Sequence, residues 1–342
     1  MTTYIVRRLI AMPLLLLGVI TVAFLLTYFT AADPLTSIIG ERQMNNPAVV
    51  EAARERWGLD RSLPERYLIY LGNLVTGDMG TSFRTRQPVA QDLMVRLPAT
   101  LELVIAAMFL GTIFGVVLGV LAARFRDGPI DNIARLFALV GASAPVFWSG
   151  LLVLFIFSVQ LGWLPGPGRI DTRAVAPPFV TGFYTVDALL AGDWAGFRSV
   201  LLHLVLPASV LGWTVTGIVS RMVRASMLDV LSQEYILAAR AKGAGPLRVL
   251  IHHALRNAML PTLTILGFSF AYLITGAILT ETIFSWPGIG SYAVAAARGL
   301  DHPAIVGVTI VGGAAFLISN LLTDIAYALV DPRVKLSQQE SS

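Results

Sequence analysis

The chain has 342 residues, 56% of them hydrophobic and only 13% charged, with a mean hydropathy of +0.72. A soluble domain carries roughly a quarter charged residues, so the composition excludes an ordinary soluble protein and calls for a polytopic membrane protein. With no cysteine, disulfides, thiolate metal sites and cysteine nucleophiles are excluded together; the net charge of +4 reads as bases gathered in cytoplasmic loops rather than a nucleic-acid surface.

A hydrocarbon core of about 30 Å needs roughly 20 apolar residues of helix. Six stretches meet this: 9–30, 99–123, 133–160, 201–220, 261–284 and 304–330. The first follows Arg7 and Arg8. Its apolar run is too long for a signal-peptide core and no small-x-small cleavage site follows, so it reads as a retained helix. An even number of spans puts both termini on one side, and the bases choose the side. The termini and the loops after spans two and four hold thirteen bases against six acids, while the other side holds twelve of each. Eight of those twelve bases lie in the long loop before span two, and long loops translocate largely regardless of charge. Both termini are therefore expected to be cytoplasmic.

Between spans one and two, residues 31–98 form a long polar outer loop. Trp57, Tyr67, Tyr70 and Leu71 at near-helical spacing predict short helices on the membrane surface. Span two carries Gly111, Gly115 and Gly119, a doubled GxxxG pattern that suits close approach of another helix, read as one of the same subunit. Residues 161–200, rich in glycine and proline, predict an irregular second outer segment. Glu102, Glu281 and Asp324 stand at span edges, where interfacial water reaches a carboxylate, and read as structural rather than pathway-lining.

The most informative segment follows span four: SQEYILAARAKGAGPLRVLIHHALRNAMLP, residues 232–261. Ser232 is placed to cap a helix, with Glu234 in its first turn at the positive end of the dipole. Gly243 is placed to end that helix. Gly245 and Pro246 open a second one, with Leu247, Leu250, Ile251, Ala254 and Leu255 on an apolar face and Arg248, His252 and Arg256 in a basic stripe. The expectation is a compact helix pair on the cytoplasmic surface, whose alanine face fits a protein groove; the plainer alternative is a surface helix whose bases meet anionic lipid.

Other functions find little support. The four histidines, His203, His252, His253 and His302, form no HExxH, and no catalytic, metal or cofactor residue is assigned. Asn46-Pro47-Ala48 resembles a water-channel tripeptide but occurs once, in a charged loop. Internal repeats and broken spans with mid-membrane charge, expected of an ion-coupled carrier, are not evident, although Pro145 could kink span three. A phosphate-binding P-loop needs a Gly-Lys pair, and Lys242 and Lys335 follow Ala241 and Val334. Any ATP-driven motor must reside on another polypeptide.

Residues 232–261 resemble the loop signature of ABC importer permeases, with a Glu-Ala-Ala, three residues, a Gly, and later a hydrophobic-x-Leu-Pro. Ala238, Ala239, Gly243, Leu260 and Pro261 match; Leu237 stands at the glutamate position, and the stretch between Gly243 and Leu260 is longer than the general form. Both departures fit the peptide and nickel permeases. The same resemblance covers YIVRRL at 4–9, GLDRSLPERY at 58–67, GDMGTSF at 77–83, RLPATLEL at 96–103, ETIFSWPGIG at 281–290 and DPRV at 331–334. It implies an all-α membrane protein of six transmembrane helices, with an ABC importer type I permease (MetI-like) core. The organisation it implies is an extra N-terminal helix (1–30), a long extracytoplasmic loop (31–98), a permease core (99–330) with a coupling loop (232–257), and a cytoplasmic tail (331–342). It implies a non-catalytic subunit in the cytoplasmic membrane of a prokaryote, forming half of a pathway for di- or oligopeptides. Its partners would be a homologous second permease, cytoplasmic ATP-binding subunits, an extracytoplasmic substrate-binding protein, peptide and membrane lipid, with no nucleic acid. Coupling to the ATPase would fall on Glu234, Ala238, Ala239 and Gly243. A nickel-chelate or glutathione importer of the same family, or a secondary transporter, stays open as an alternative.

Overall fold

The computed structural model describes residues 2–29, 35, 39, 44–57 and 60–330. The tail 331–342 with its DPRV, the side chain of Asp324 and the side chain of Trp57 lie outside the described residues. Among the described residues regular structure is helical, apart from one isolated bridge between Thr81 and Pro88.

The helices in chain order are α1 (Thr2–Phe29), α2 (Pro47–Trp57), α3 (Leu63–Val75), α4 (Val89–Arg124), α5 (Pro129–Ser143), α6 (Val146–Leu154), α7 (Tyr184–Leu190), α8 (Trp194–Leu231), α9 (Glu234–Ala241), α10 (Pro246–Arg248), α11 (Arg256–Gly276), α12 (Ile278–Ile283), α13 (Ile289–Arg298) and α14 (His302–Val330). Four unbroken stretches are long and apolar enough to cross a membrane: Val89–Arg124, Trp194–Leu231, Pro246–Ile274 and His302–Thr323. A bent pair, Pro129–Ser143 with Val146–Gln160, makes a fifth, and Ile10–Leu26 is a shorter apolar helix.

The centre of the bundle is the pairing of α4 with α8. At 1.5 Å per residue, 36 and 38 residues run for about 54 and 57 Å, well beyond the roughly 30 Å apolar core. Their contact is built by the glycines of α4. A Cβ at Gly111 would lie 2.6 Å from Gly212 O and from Val215 Cβ; at Gly115, 2.7 Å from Val219 Cβ; at Gly119, 2.7 Å from Val223 Cβ. The doubled GxxxG face is thus spent inside the subunit, where Val215, Val219 and Val223 are almost fully buried against it. At its start α8 is capped by Asp193, whose Oδ1 accepts the Gly196 N–H at 2.9 Å.

Span three is broken, contrary to the continuous helix expected over 133–160. Ala144 and Pro145 are extended (ψ 131° and 129°), and the two halves meet at 108°. The residue before a proline is pushed out of the α region, and proline offers no N–H to continue the ladder. The break carries no charged side chain, which separates it from the charged broken spans of ion-coupled carriers. Span five also differs from expectation. Instead of a surface helix followed by a separate span, α10 runs through a wider π-helical stretch, Val249–Leu255, directly into α11.

The two segments expected to lie outside fold largely into the elements read for them. α2 and α3 are the short helices expected in 31–98, and Tyr70, Leu71 and Leu74 of α3 pack beside Ile20 and Ala23 of α1 and Val306 and Ile310 of α14. Residues 161–183 are irregular, but α7 and the start of α8 occupy the rest of the segment expected to lack helix.

Candidate functional site

The predicted site is the loop between α8 and α11. Ser232 does not cap α9; it is the C-cap residue just after the preceding helix, and its hydroxyl donates to Asp229 O at 2.7 Å. The N-cap of α9 is Gln233, extended at ψ 148°, with no side-chain cap. The chain needs one non-helical residue to turn between α8 and α9, and that falls one position later than the serine.

Two side chains anchor α9. Ile236 is fully buried in the central core with Met227, Val249, Leu250 and Ala254. The Tyr235 hydroxyl accepts from Asn257 Nδ2 at 2.8 Å, and that amide also reaches His253 O at 3.1 Å, tying α9 to the start of α11. Everything else faces out: Glu234, Ala238 and Gly243 are exposed, Leu237 is 58% exposed, and Ala239 is half-buried. The helix ends as predicted at Gly243, whose φ is +82°. Gly243 N bonds Arg240 O at 2.9 Å and Ala244 N bonds Ala239 O at 3.1 Å, so the last carbonyls are satisfied by a left-handed residue. Glu234, Ala238, Ala239 and Gly243 therefore share one short helix and its exit.

The face expected on the second helix is corrected. Val249, Leu250 and Ala254 are buried, whereas Leu247 and Ile251 are 67% and 52% exposed. The π-helical stretch bonds i to i+5 and so rotates the face away from the 3.6-residue reading.

Beneath the loop lies an ion pair that sequence reasoning missed. Arg224 of α8 grips Asp131 of α5 with two bonds of 2.7 Å, and Asp131, fully buried, also accepts Asp127 N at 2.9 Å. Arg135 stands 3.5 Å away. Asp131 and Arg224 are 93 positions apart in chain, so no local pattern signals them. Removing one member of a buried pair costs about 3–5 kcal/mol. Because Arg224 is 21% exposed and can turn to water while Asp131 cannot, Arg224→Ala should destabilise more than Asp131→Ala. The temperature at which half the detergent-purified protein stays monodisperse should fall in that order.

The opposite end of α4 is stitched by a second buried network. Arg169 bonds Glu102 Oε2 through Nε at 2.9 Å and Nη2 at 2.6 Å, reaches Gly182 O at 2.7 Å, and lies 3.7 Å over the Tyr184 ring. Thr100 Oγ1 donates to Glu281 Oε1 and accepts Ile289 N; Ser291 N donates to Glu281 Oε2; Trp286 Nε1 donates to Ala99 O at 2.8 Å. RLPATLEL and ETIFSWPGIG thus pack on each other. Glu102 is 4% exposed and Glu281 0%, so neither is wetted as expected for a span edge; each is held by the chain's own donors in a structural role. Nearby, burial pushes the Asp187 carboxyl up, but hydrogen bonds from Thr181, Gly182 and Val180 outweigh it and hold the group below the usual carboxylate range.

Long apolar helices stitched at both ends by buried charge, with one short helix displayed at a loop, define a helical integral membrane protein. Residues 115–336 match the family described as binding-protein-dependent transport system inner membrane component, and residues 1–104 match its N-terminal membrane component. The chain belongs to this family of transporter membrane components. It is 40% identical over 328 residues, 96% of each chain, to the probable D,D-dipeptide transport system permease protein DdpB of Escherichia coli (strain K12). It is 40% identical over 335 residues, 98% of this chain and 99% of the relative, to the di/tripeptide transport system permease protein DppB of Pseudomonas aeruginosa (strain UCBPP-PA14). The dipeptide transport system permease protein DppB of Alkalihalophilus pseudofirmus is 39% identical over 98% of this chain and all of its own length. Among solved structures, the inward-facing methionine ABC transporter MetNI matches 70% of this chain and 96% of its own with a TM-score of 0.50 at 16% identity, a likeness of fold.

Proposed function

We propose that this chain is the peptide-conducting permease subunit of an ABC importer, forming half of a translocation pathway across the cytoplasmic membrane. The observation that carries the reading is full-length identity of 39–40% to permeases named for dipeptide and di/tripeptide transport. ATP is hydrolysed on separate cytoplasmic subunits, a receptor outside delivers peptide, and a homologous permease supplies the other half of the pathway. The end of the bundle bearing α9 is cytoplasmic, as are both termini, and residues 1–30, 31–98, 99–330 and 331–342 are first helix, outer loop, permease core and tail. Supporting this orientation, Arg124, Arg126, Arg221, Arg224, Arg240, Lys242, Arg248 and Arg256 all belong to that end. Glu234, Ala238, Ala239 and Gly243 seat α9 in the ATPase: the helix is anchored by Ile236 and Tyr235 and offers its remaining surface outward.

Two measurements test this. A topology reporter fused after Arg256 should read cytoplasmic and one inserted at Asn46 external; the reverse assignment overturns the orientation. Proteoliposomes holding the two permeases and ATPase subunits should accumulate labelled dipeptide only with receptor and ATP, and uptake independent of ATP would favour a secondary transporter.

A further inference from the structure

At the end of the bundle opposite α9, a cavity of about 760 Å³ opens between α13, the first turns of α4 and the segment before it. Arg84, Arg96 and Arg298 all line it. Among the described residues none of the three lies within ion-pair distance of a carboxylate. Glu281 also lines the cavity, and Asp301 accepts the Arg84 backbone N–H at 3.1 Å, but the nearby acids are engaged by uncharged donors. Asp92 accepts the Thr85 hydroxyl at 2.6 Å and the Tyr292 hydroxyl at 3.0 Å, and Glu281 is held by Thr100 and Ser291. Arg96 is instead laid over the Tyr292 ring, 4.8 Å from its centre. Trp286 and Tyr292 form part of the wall. Three guanidinium groups without a close carboxylate partner among the described residues, around a space of this size, suit a small molecule bearing a carboxylate, because the planar fork pairs both oxygens of such a group, and because small-ligand pockets span about 300–1,000 Å³.

Resting on the reading of the chain as a peptide importer permease with this end outward, we infer that the cavity receives the terminal carboxylate of the peptide released by the receptor, Arg96 and Arg298 being its partners. Arg84 adds to the positive field at the rim.

The test uses the complete importer in proteoliposomes with alanyl-benzoylphenylalanine, a photo-reactive dipeptide with a free carboxylate. During ATP-driven uptake, label should appear within residues 282–299 and be displaced by dialanine. Arg298→Gln and Arg96→Gln should each reduce that labelling on the order of tenfold, the loss of one charge-assisted pair, while Arg298→Lys retains most of it. The receptor meets the same peptide in every case, so the difference belongs to the permease. Arg298 is exposed and has no ion-pair partner, so its replacement carries the test even if loss of the Arg96–Tyr292 stacking disturbs folding. Labelling unchanged in Arg298→Gln, or displaced by added anionic phospholipid and not by dialanine, overturns the inference. Uptake with label confined elsewhere overturns it and leaves the importer reading standing. Absence of any ATP-dependent peptide uptake by the unaltered complex overturns both.

Discussion

Gly115→Leu is expected to abolish the folded protein. A Cβ at residue 115 alone would stand 2.7 Å from Val219 Cβ and 3.3 Å from Thr216 O, inside any real contact distance, and the same crowding recurs at Gly111 and Gly119 one turn away on either side. The two helices cannot part locally, because the neighbouring glycines hold them together over three turns, so a leucine must wedge the whole α4–α8 pair open. Overpacking a core ordinarily costs about 1–3 kcal/mol. Here the obstruction includes the backbone carbonyl of Thr216, which cannot rotate away, so about 3 kcal/mol or more is expected. Opening the pair would also uncover Val215, Val219 and Val223. Gly115→Ala should give an intermediate loss. Gly72→Ala is the control: that glycine has nothing within 4 Å of an added Cβ, and in a helix interior the change should stabilise by up to about 1 kcal/mol. Size-exclusion profiles in detergent after a heating series should rank Gly72→Ala at or above the natural protein, then Gly115→Ala, then Gly115→Leu. Equal profiles for all three would show that α4 and α8 do not meet on this face.

What could be read in advance follows from how local the signal is. The glycine ladder was legible because its period of four is written on one helix, and Gly243 because a helix end with a glycine has few other conformations. The break at Pro145 was legible only as a possibility: proline alone kinks some helices and ends others, and the outcome depended on Ala144 finding an extended conformation. The shifted face of 246–255 could not be read from a 3.6-residue period, since the helix widens to the π form there. The networks were invisible in kind. Glu102 finds Arg169, and Glu281 finds Thr100 at a separation of 181 residues. Each acid in isolation, near the end of an apolar run, looked like an interfacial charge. Only tertiary structure turned two supposedly wetted carboxylates into the fasteners of α13 and of residues 169–185.

Gly243→Val and Ala239→Glu should each cut transport by more than about tenfold while leaving the bundle assembled, if α9 carries motion from the ATPase. Gly243 sits at φ +82°, and left-handed backbone costs an L-residue roughly 1–2 kcal/mol, more when β-branched. Nothing lies within 4 Å of an added Cβ there, so valine meets no clash. Its effect is confined to the backbone, which would relax by unwinding the exit of α9 and tilting its last turn. Asparagine tolerates the left-handed region, so Gly243→Asn should keep most of the activity, and that contrast separates backbone strain from simple loss of a small residue. Ala239 is half-buried beside exposed Ala238. A glutamate there would place a charge where a groove closes on the helix, costing a few kcal/mol if left unpaired, on the order seen for broken buried ion pairs. Neither site touches the α4–α8 contact or the Arg224–Asp131 pair, so monodispersity and pairing with the second permease should be retained, and peptide binding by the receptor should be unchanged. A photo-cross-linker at residue 238 should capture the ATP-binding subunit and not lipid. Wild-type transport by both variants, with the cross-linker labelling lipid, would reduce α9 to a surface helix and remove Glu234, Ala238, Ala239 and Gly243 from any part in coupling.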